Sequence, residues 1–173
     1  MTAKKDDRRF EGKIVKVSIR TVTLPNNVDL EMEIVEHPGG SAIVALNDKG
    51  QICLLKQYRA VFDSWFWELP AGKRDFNEAP LVTAKRELQE EAGVEAGVWQ
   101  DLGSMVSSPG VFTERVFLFL ATDLTIVDSN VADDEIISEI QWIALEEACQ
   151  WAQEGVIDDA KSVIAILRAA QRV

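Results

Sequence analysis

The segment Gly72–Val94, GKRDFNEAPLVTAKRELQEEAGV, constrains the fold most, because its apolar spacing fits a helix that hides one side. Leu81, Ala84, Leu88 and Ala92 recur every three or four residues, the period of an amphipathic helix. The helix is expected from Glu78 to Ala92, with Gly93 as its stop. Glu87, Glu90 and Glu91 share an arc of about 100° beside that apolar stripe. Like charges so spaced cost about 0.2–0.5 kcal/mol per pair on an exposed helix, and more where the dielectric falls. Two arrangements relieve the cost: a fully solvated acidic face, or a hard divalent cation that takes oxygen ligands. The helix alone admits both. Arg86, four residues before Glu90, is placed to hold it in an i,i+4 pair.

The rest of the chain mixes strands and helices. Residues 1–10 are densely charged and read as a flexible tail. Ile14 to Leu24 reads as a strand ending in the turn Pro25-Asn26-Asn27, and 28–35 alternates apolar with acidic residues, as a half-exposed strand does. His37-Pro38-Gly39-Gly40 breaks the pattern. Segments 41–46 and 51–57 read as a hairpin across Asn47-Asp48-Lys49-Gly50. A short aromatic strand at 65–69 is expected to bury Trp65, Phe66 and Trp67. A buried strand at 116–121, a polar loop at 123–134, a strand at 136–143 and helices over 145–154 and 159–172 follow. Without a regular βαβ rhythm, the expected class is α/β (or α+β), a sandwich with a mixed sheet and antiparallel strands at the N-terminus. The expected organisation is the tail at 1–10, N-terminal strands at 11–40 and a main domain at 41–173.

Charge narrows the partners. The net charge of -11 repels nucleic-acid backbone and anionic membrane surface. It also repels a phosphorylated small molecule unless a local cation reverses the sign. His37 is the only histidine, which argues against a nucleophilic triad or a zinc site. Cys53 and Cys149 lie far apart in sequence, and the N-terminus has no apolar leader, so a cytoplasmic location is expected.

Gly72, five residues, Glu78, seven residues and then Arg86-Glu87-Leu88-Gln89-Glu90-Glu91-Ala92-Gly93-Val94 matches the Nudix box at all nine defined positions over 23 residues. His37-Pro38-Gly39, Gln57-Tyr58-Arg59, Glu68-Leu69-Pro70-Ala71-Gly72 and Ser108-Pro109-Gly110 are similar to the branch that cuts ADP-ribose and nucleoside diphosphate sugars. The resemblance covers roughly residues 12–170 and implies a Nudix α/β/α sandwich.

It also implies an assignment of roles. Glu87, Glu90, Glu91 and the Ala71 carbonyl would hold Mg²⁺, with Mn²⁺ as a substitute, and Gly72 would let the backbone turn tightly beside it. Arg59, Glu68 and Glu114 would bind substrate, Arg59 on the diphosphate and Glu114 at the distal sugar. Arg86 and Glu90 would serve catalysis with Glu135 as base, and Glu139 is the alternative because the acidic run here ends one step early. Glu78 would be structural, on the far side of the helix from Glu87. The implied reaction is hydrolysis of ADP-ribose to AMP and ribose 5-phosphate by a homodimer built through its N-terminal strands. Hydrolysis of another nucleoside diphosphate sugar, such as GDP-mannose, is the nearest alternative. A sensor that binds an ADP-ribose-like ligand without turnover is the alternative of a different class. The stretch Asp29-Leu30-Glu31-Met32-Glu33 lacks the aromatic and arginine expected for stacking on adenine.

Overall fold

The computed structural model describes residues 3–75, 77–129 and 136–173, with side chains from residue 7 onward. The chain divides into two compact units, residues 1–39 with 106–115, and residues 40–105 with 116–173.

The first unit is a three-stranded antiparallel sheet of β1 (Ala3–Glu11), β2 (Lys16–Thr23) and β3 (Asp29–Glu36), in that order. Within the stretch read as a tail, the described residues from Ala3 onward are strand. Its described charges from Asp7 onward are matched rather than merely solvated: Arg9 pairs with Asp7 at 2.7 Å, and Glu11 takes Arg8 at 3.0 Å and Lys16 at 2.7 Å. Of these only the Lys16–Glu11 pair crosses to β2, where the two residues sit opposite each other. Segment 106–115 joins the same unit through the Val35 N–H to Val111 O bond (2.8 Å) and the Thr113 N–H to Val35 O bond (2.9 Å).

The second unit carries two sheets. One has the order β10 (Ile137–Ala144), β5 (Gln51–Arg59), β6 (Ser64–Glu68), all antiparallel. The other has the order β7 (Ala71–Lys73), β4 (Gly40–Ala45), β9 (Arg115–Ile126), β8 (Val94–Val106). There β4 runs antiparallel to β7 and parallel to β9, so the sheet is mixed, as expected. The hairpin expected between 41–46 and 51–57 does not form. Its turn closes, with Gly50 N–H donating to Asn47 O at 3.0 Å, but only an isolated bridge, Leu46 to Ile52, joins the two arms. Each arm is the interior of a different sheet. A central strand buried on both faces needs a continuous apolar run, and Ala42–Ala45 and Ile52–Leu55 both supply one, fully buried throughout.

Three helices among the described residues cover these strands: α1 (Pro80–Ala92), α2 (Leu145–Glu154) and α3 (Ala160–Ala169). Alternate residues of β4 and β5 face opposite ways. Ala42, Val44, Ile52 and Leu54 pack with Ala148, Ala165, Ile166 and Ala169 of α2 and α3. Ile43, Ala45, Cys53 and Leu55 pack with Ala84 and Leu88 of α1. The result is an α/β/α sandwich. Trp67 packs on the first of these clusters with its ring tilted against that of Trp151 at 5.9 Å, whereas Trp65 is 44% exposed, against the expectation of burial, and leans on Tyr58 instead. No helix among the described residues is long and apolar enough to cross a membrane.

Candidate active site

Helix α1 begins two residues later than its pattern suggested, at Pro80, where the missing N–H costs nothing. It ends at Gly93, whose φ of 63° closes the helix through its N–H on Gln89 O. The buried side of α1 is Thr83, Ala84, Glu87, Leu88 and Glu91, while Leu81 is exposed. The acids expected at the edge of the stripe are thus partly inside it.

Two of them lie on the short β7 strand. Glu91 is fully buried, and its Oε2 accepts the Ala71 N–H at 2.7 Å. A Cβ added to Gly72 would come within 2.0 Å of the Glu87 carboxyl carbon and Oε1. Only glycine lets that carboxylate lie on the backbone, so the box helix and the Ala71–Gly72 turn are fitted to each other. Glu90 stands further out, with 35% of its side chain accessible.

One guanidinium serves this group. Arg86 Nη1 donates to Glu87 Oε1 at 2.7 Å and Glu90 Oε2 at 3.0 Å, while Nη2 donates to Glu78 Oε2 at 3.2 Å and Lys73 O at 3.0 Å. Glu78 precedes the helix, so the expectation that it lies opposite Glu87 is corrected: both reach Arg86. Its carboxylate also takes Thr83 Oγ1 at 2.8 Å and the Asp75 N–H at 3.1 Å. The Arg86 hydrogen bond, outweighing burial, holds Glu78 down at about 2. Burial works against the charge on Arg86, but Glu78 and Glu87 outweigh it and raise its pKa. Beneath them, burial and then the charge of Glu91 push the Cys53 thiol up to about 12, leaving it neutral.

Among the described residues no three His, Cys, Asp or Glu side chains surround a single point. Arg86 holds Glu87 and Glu90, and Ala71 holds Glu91. The donors nevertheless fit a hard divalent cation, because Glu87, Glu90, Glu91 and the Ala71 carbonyl offer only oxygen and Gly72 leaves room for a carboxylate at the backbone.

A second network lies on β5, β6 and α3. Glu68 is 2% exposed. Arg59 grips it with a two-pronged fork, Nε to Oε1 and Nη2 to Oε2, both 2.6 Å, the geometry that makes arginine–carboxylate pairs strong. Lys161 also donates to Glu68 Oε2 and pairs with Asp159 at 3.0 Å. Burial raises the pKa of Glu68, but Arg59 and Lys161 together hold it below its usual range. The Glu68 hydrogen bond raises Arg59 against burial, and the charges of Glu91 and Asp159 add to it. The acid helix is therefore within electrostatic reach of this arginine.

Lys161 escaped the sequence reading, although a signal was present: a cation in the first turn of α3 opposes the helix dipole and has to be compensated by acids. Glu114 belongs to the first unit, where its Oε1 lies 3.4 Å from His37 Nδ1. His37 keeps its turn role, since that nitrogen accepts the Gly39 N–H at 3.1 Å. Glu135 lies outside the described residues. Glu139 is exposed on β10, opposite Lys56.

Comparison with known proteins converges on one family. The model of the NUDIX domain matches residues 36–165. The chain is 37% identical over 164 residues to the methanol dehydrogenase activator of Bacillus methanolicus, covering 94% of this chain and 88% of that protein. It is 36% identical over 159 residues to the ADP-ribose pyrophosphatase of Bacillus subtilis (strain 168), covering 91% and 85%. It is also 36% identical over 158 residues to that of Mycobacterium tuberculosis (strain ATCC 25618 / H37Rv), covering 90% and 76%. The crystal structure of an ADP compounds hydrolase shares the fold with a TM-score of 0.82 at 20% identity, over 99% of this chain and 92% of that one. With a family match across most of its length and relatives above 30% identity, this chain belongs to the Nudix hydrolase family.

Proposed function

We propose that the chain hydrolyses the diphosphate of ADP-ribose to AMP and ribose 5-phosphate, with Mg²⁺ as cofactor and Mn²⁺ able to replace it. The observation that carries this reading is the fit of Glu87 and Glu91 to the Ala71–Gly72 turn, in the same compact unit as an arginine held by a buried carboxylate. Two relatives named as ADP-ribose pyrophosphatases, each 36% identical over most of this chain, support it.

Glu87, Glu90, Glu91 and the Ala71 carbonyl would hold the ion. Once bound, it supplies positive charge to the diphosphate and lowers the pKa of a coordinated water. Arg86 keeps Glu87 and Glu90 side by side. Arg59 spends two of its five N–H donors on Glu68 and retains three for diphosphate oxygens. Glu68 contributes to substrate binding through Arg59, since both of its oxygens are already engaged. Glu114 would contact the distal sugar. Glu135 would accept the proton of the attacking water, with Glu139 as the alternative base. We further propose a cytoplasmic homodimer that uses the N-terminal strands at 11–40.

One observation favours a second reading, hydrolysis of other nucleoside diphosphate sugars such as GDP-mannose: β3 offers neither aromatic nor arginine at 29–33 for stacking on adenine. Incubation with Mg²⁺ and a panel of ADP-ribose, nucleotide sugars and dinucleotides in ¹⁸O water, read by phosphorus NMR, tests both. AMP and ribose 5-phosphate formed fastest from ADP-ribose is the expected result. Preference for a guanine or uracil sugar nucleotide would overturn it.

A further inference from the structure

We infer that Lys161 is a positioning residue that fixes the aim of Arg59 by clamping the Glu68 carboxylate between two cations. The inference rests on the reading of Arg59 as the diphosphate-binding arginine.

The placement of Lys161 needs a reason. It stands in the first turn of α3 with 18% of its side chain accessible, where desolvation and the helix dipole both disfavour an ammonium. Asp159 and Glu68 outweigh the burial and keep it charged. A lysine needed only to cover apolar surface would extend its head to water; this one turns it inward.

The anchoring is specific. Glu68 Oε2 receives both Arg59 Nη2 and Lys161 Nζ, while Oε1 receives Arg59 Nε. With Arg59 alone, carboxylate and guanidinium would be free to swing together as one planar pair. Lys161 adds a third point and ties that pair to α3. The same helix end grips the neighbouring backbone: the Leu69 N–H donates to Ser162 Oγ at 2.9 Å, and Ser162 Oγ donates to Asp159 Oδ2 at 2.6 Å. Two residues further along, the Ala71 N–H meets Glu91. Asp159, Lys161 and Ser162 thus hold the short link from the end of β6 to the start of β7, with the diphosphate arginine's partner Glu68 at one end and the box helix's partner Ala71 at the other. Two acids and two bases make the cluster neutral, so none of its buried charges is left unpaired.

A double-mutant cycle tests the inference. The chain, Lys161→Met, Arg59→Met and the double variant are compared for calorimetric binding of α,β-methylene ADP-ribose without metal, and for KM and kcat with Mg²⁺. Far-UV circular dichroism checks folding. Expected is a rise of about tenfold in Kd and KM for Lys161→Met, with kcat changed less, and under about twofold further loss in the Arg59→Met background. Lys161→Arg should restore most of the affinity. Equal losses in both backgrounds, or none in either, would overturn the role assigned to Lys161. Unaltered binding by Arg59→Met would instead overturn the reading of Arg59. If Lys161→Met does not fold, Lys161→Gln replaces it in the cycle. If neither folds, Lys161 belongs to the general structure and the inference fails.

Discussion

Two charge networks in the same compact unit differ in balance. Around Glu68, Arg59 and Lys161 meet Glu68 and Asp159, and the charges cancel. Around Arg86, one guanidinium faces Glu78, Glu87 and Glu90, with Glu91 buried one helical turn from Glu87. A balanced buried cluster has no use for another ion and serves as a fixed mount. The other gathers four carboxylates about one guanidinium in a partly dry site, an arrangement whose repulsion a divalent cation would relieve. The difference separates residues that position chemistry from residues that await a ligand.

That contrast can be broken in several ways, each of different size. Glu91→Gln removes charge from the unbalanced side and should lower kcat/KM on the order of 10³-fold, since metal stabilisation of the transition state is worth several kcal/mol. Far-UV circular dichroism should be unchanged; near-normal turnover would refute the assignment. Glu68→Gln strips the balanced side of an acid and leaves two cations facing each other. It should cost about 3 kcal/mol of stability in urea titrations, and a loss near zero would show that the cluster is no mount. Mg²⁺ at about a hundred times its dissociation constant should raise the Tm by roughly 5–10 °C. The same rise should appear in Glu68→Gln and be absent in Glu91→Gln.

The smallest effect concerns pH. The Arg86 hydrogen bond depresses Glu78 to about 2 from the ordinary carboxylate value of 4.5. A carboxyl depressed on folding adds stability above its unfolded pKa and loses it as pH falls through the folded one. Stability should therefore decline from about pH 4.5 toward pH 2, and Glu78→Gln should flatten the slope in that window. An unchanged slope would remove Glu78 from the network.

Much of this was legible before the structure. Apolar spacing and the Gly93 stop marked α1, and Leu145–Glu154 was bounded as found, because caps and period act within a few residues. Strand pairing was not. Asn47–Gly50 has hairpin chemistry, yet β4 and β5 enter different sheets, a choice made by partners distant in sequence. Strand β8 went unread because polar residues and two glycines interrupt its alternation. The box acids were visible through their spacing. The position of Lys161 at a helix start was visible, but its partner Glu68, 93 residues away, was not.

Titrating Mn²⁺ into the chain and into Glu91→Gln, with free ion followed by electron paramagnetic resonance, tests the surplus of negative charge on α1 most directly. The account predicts that the unaltered chain depletes the free-ion signal with saturation and that Glu91→Gln depletes it far less. Equal depletion by both, or none by either, would contradict it.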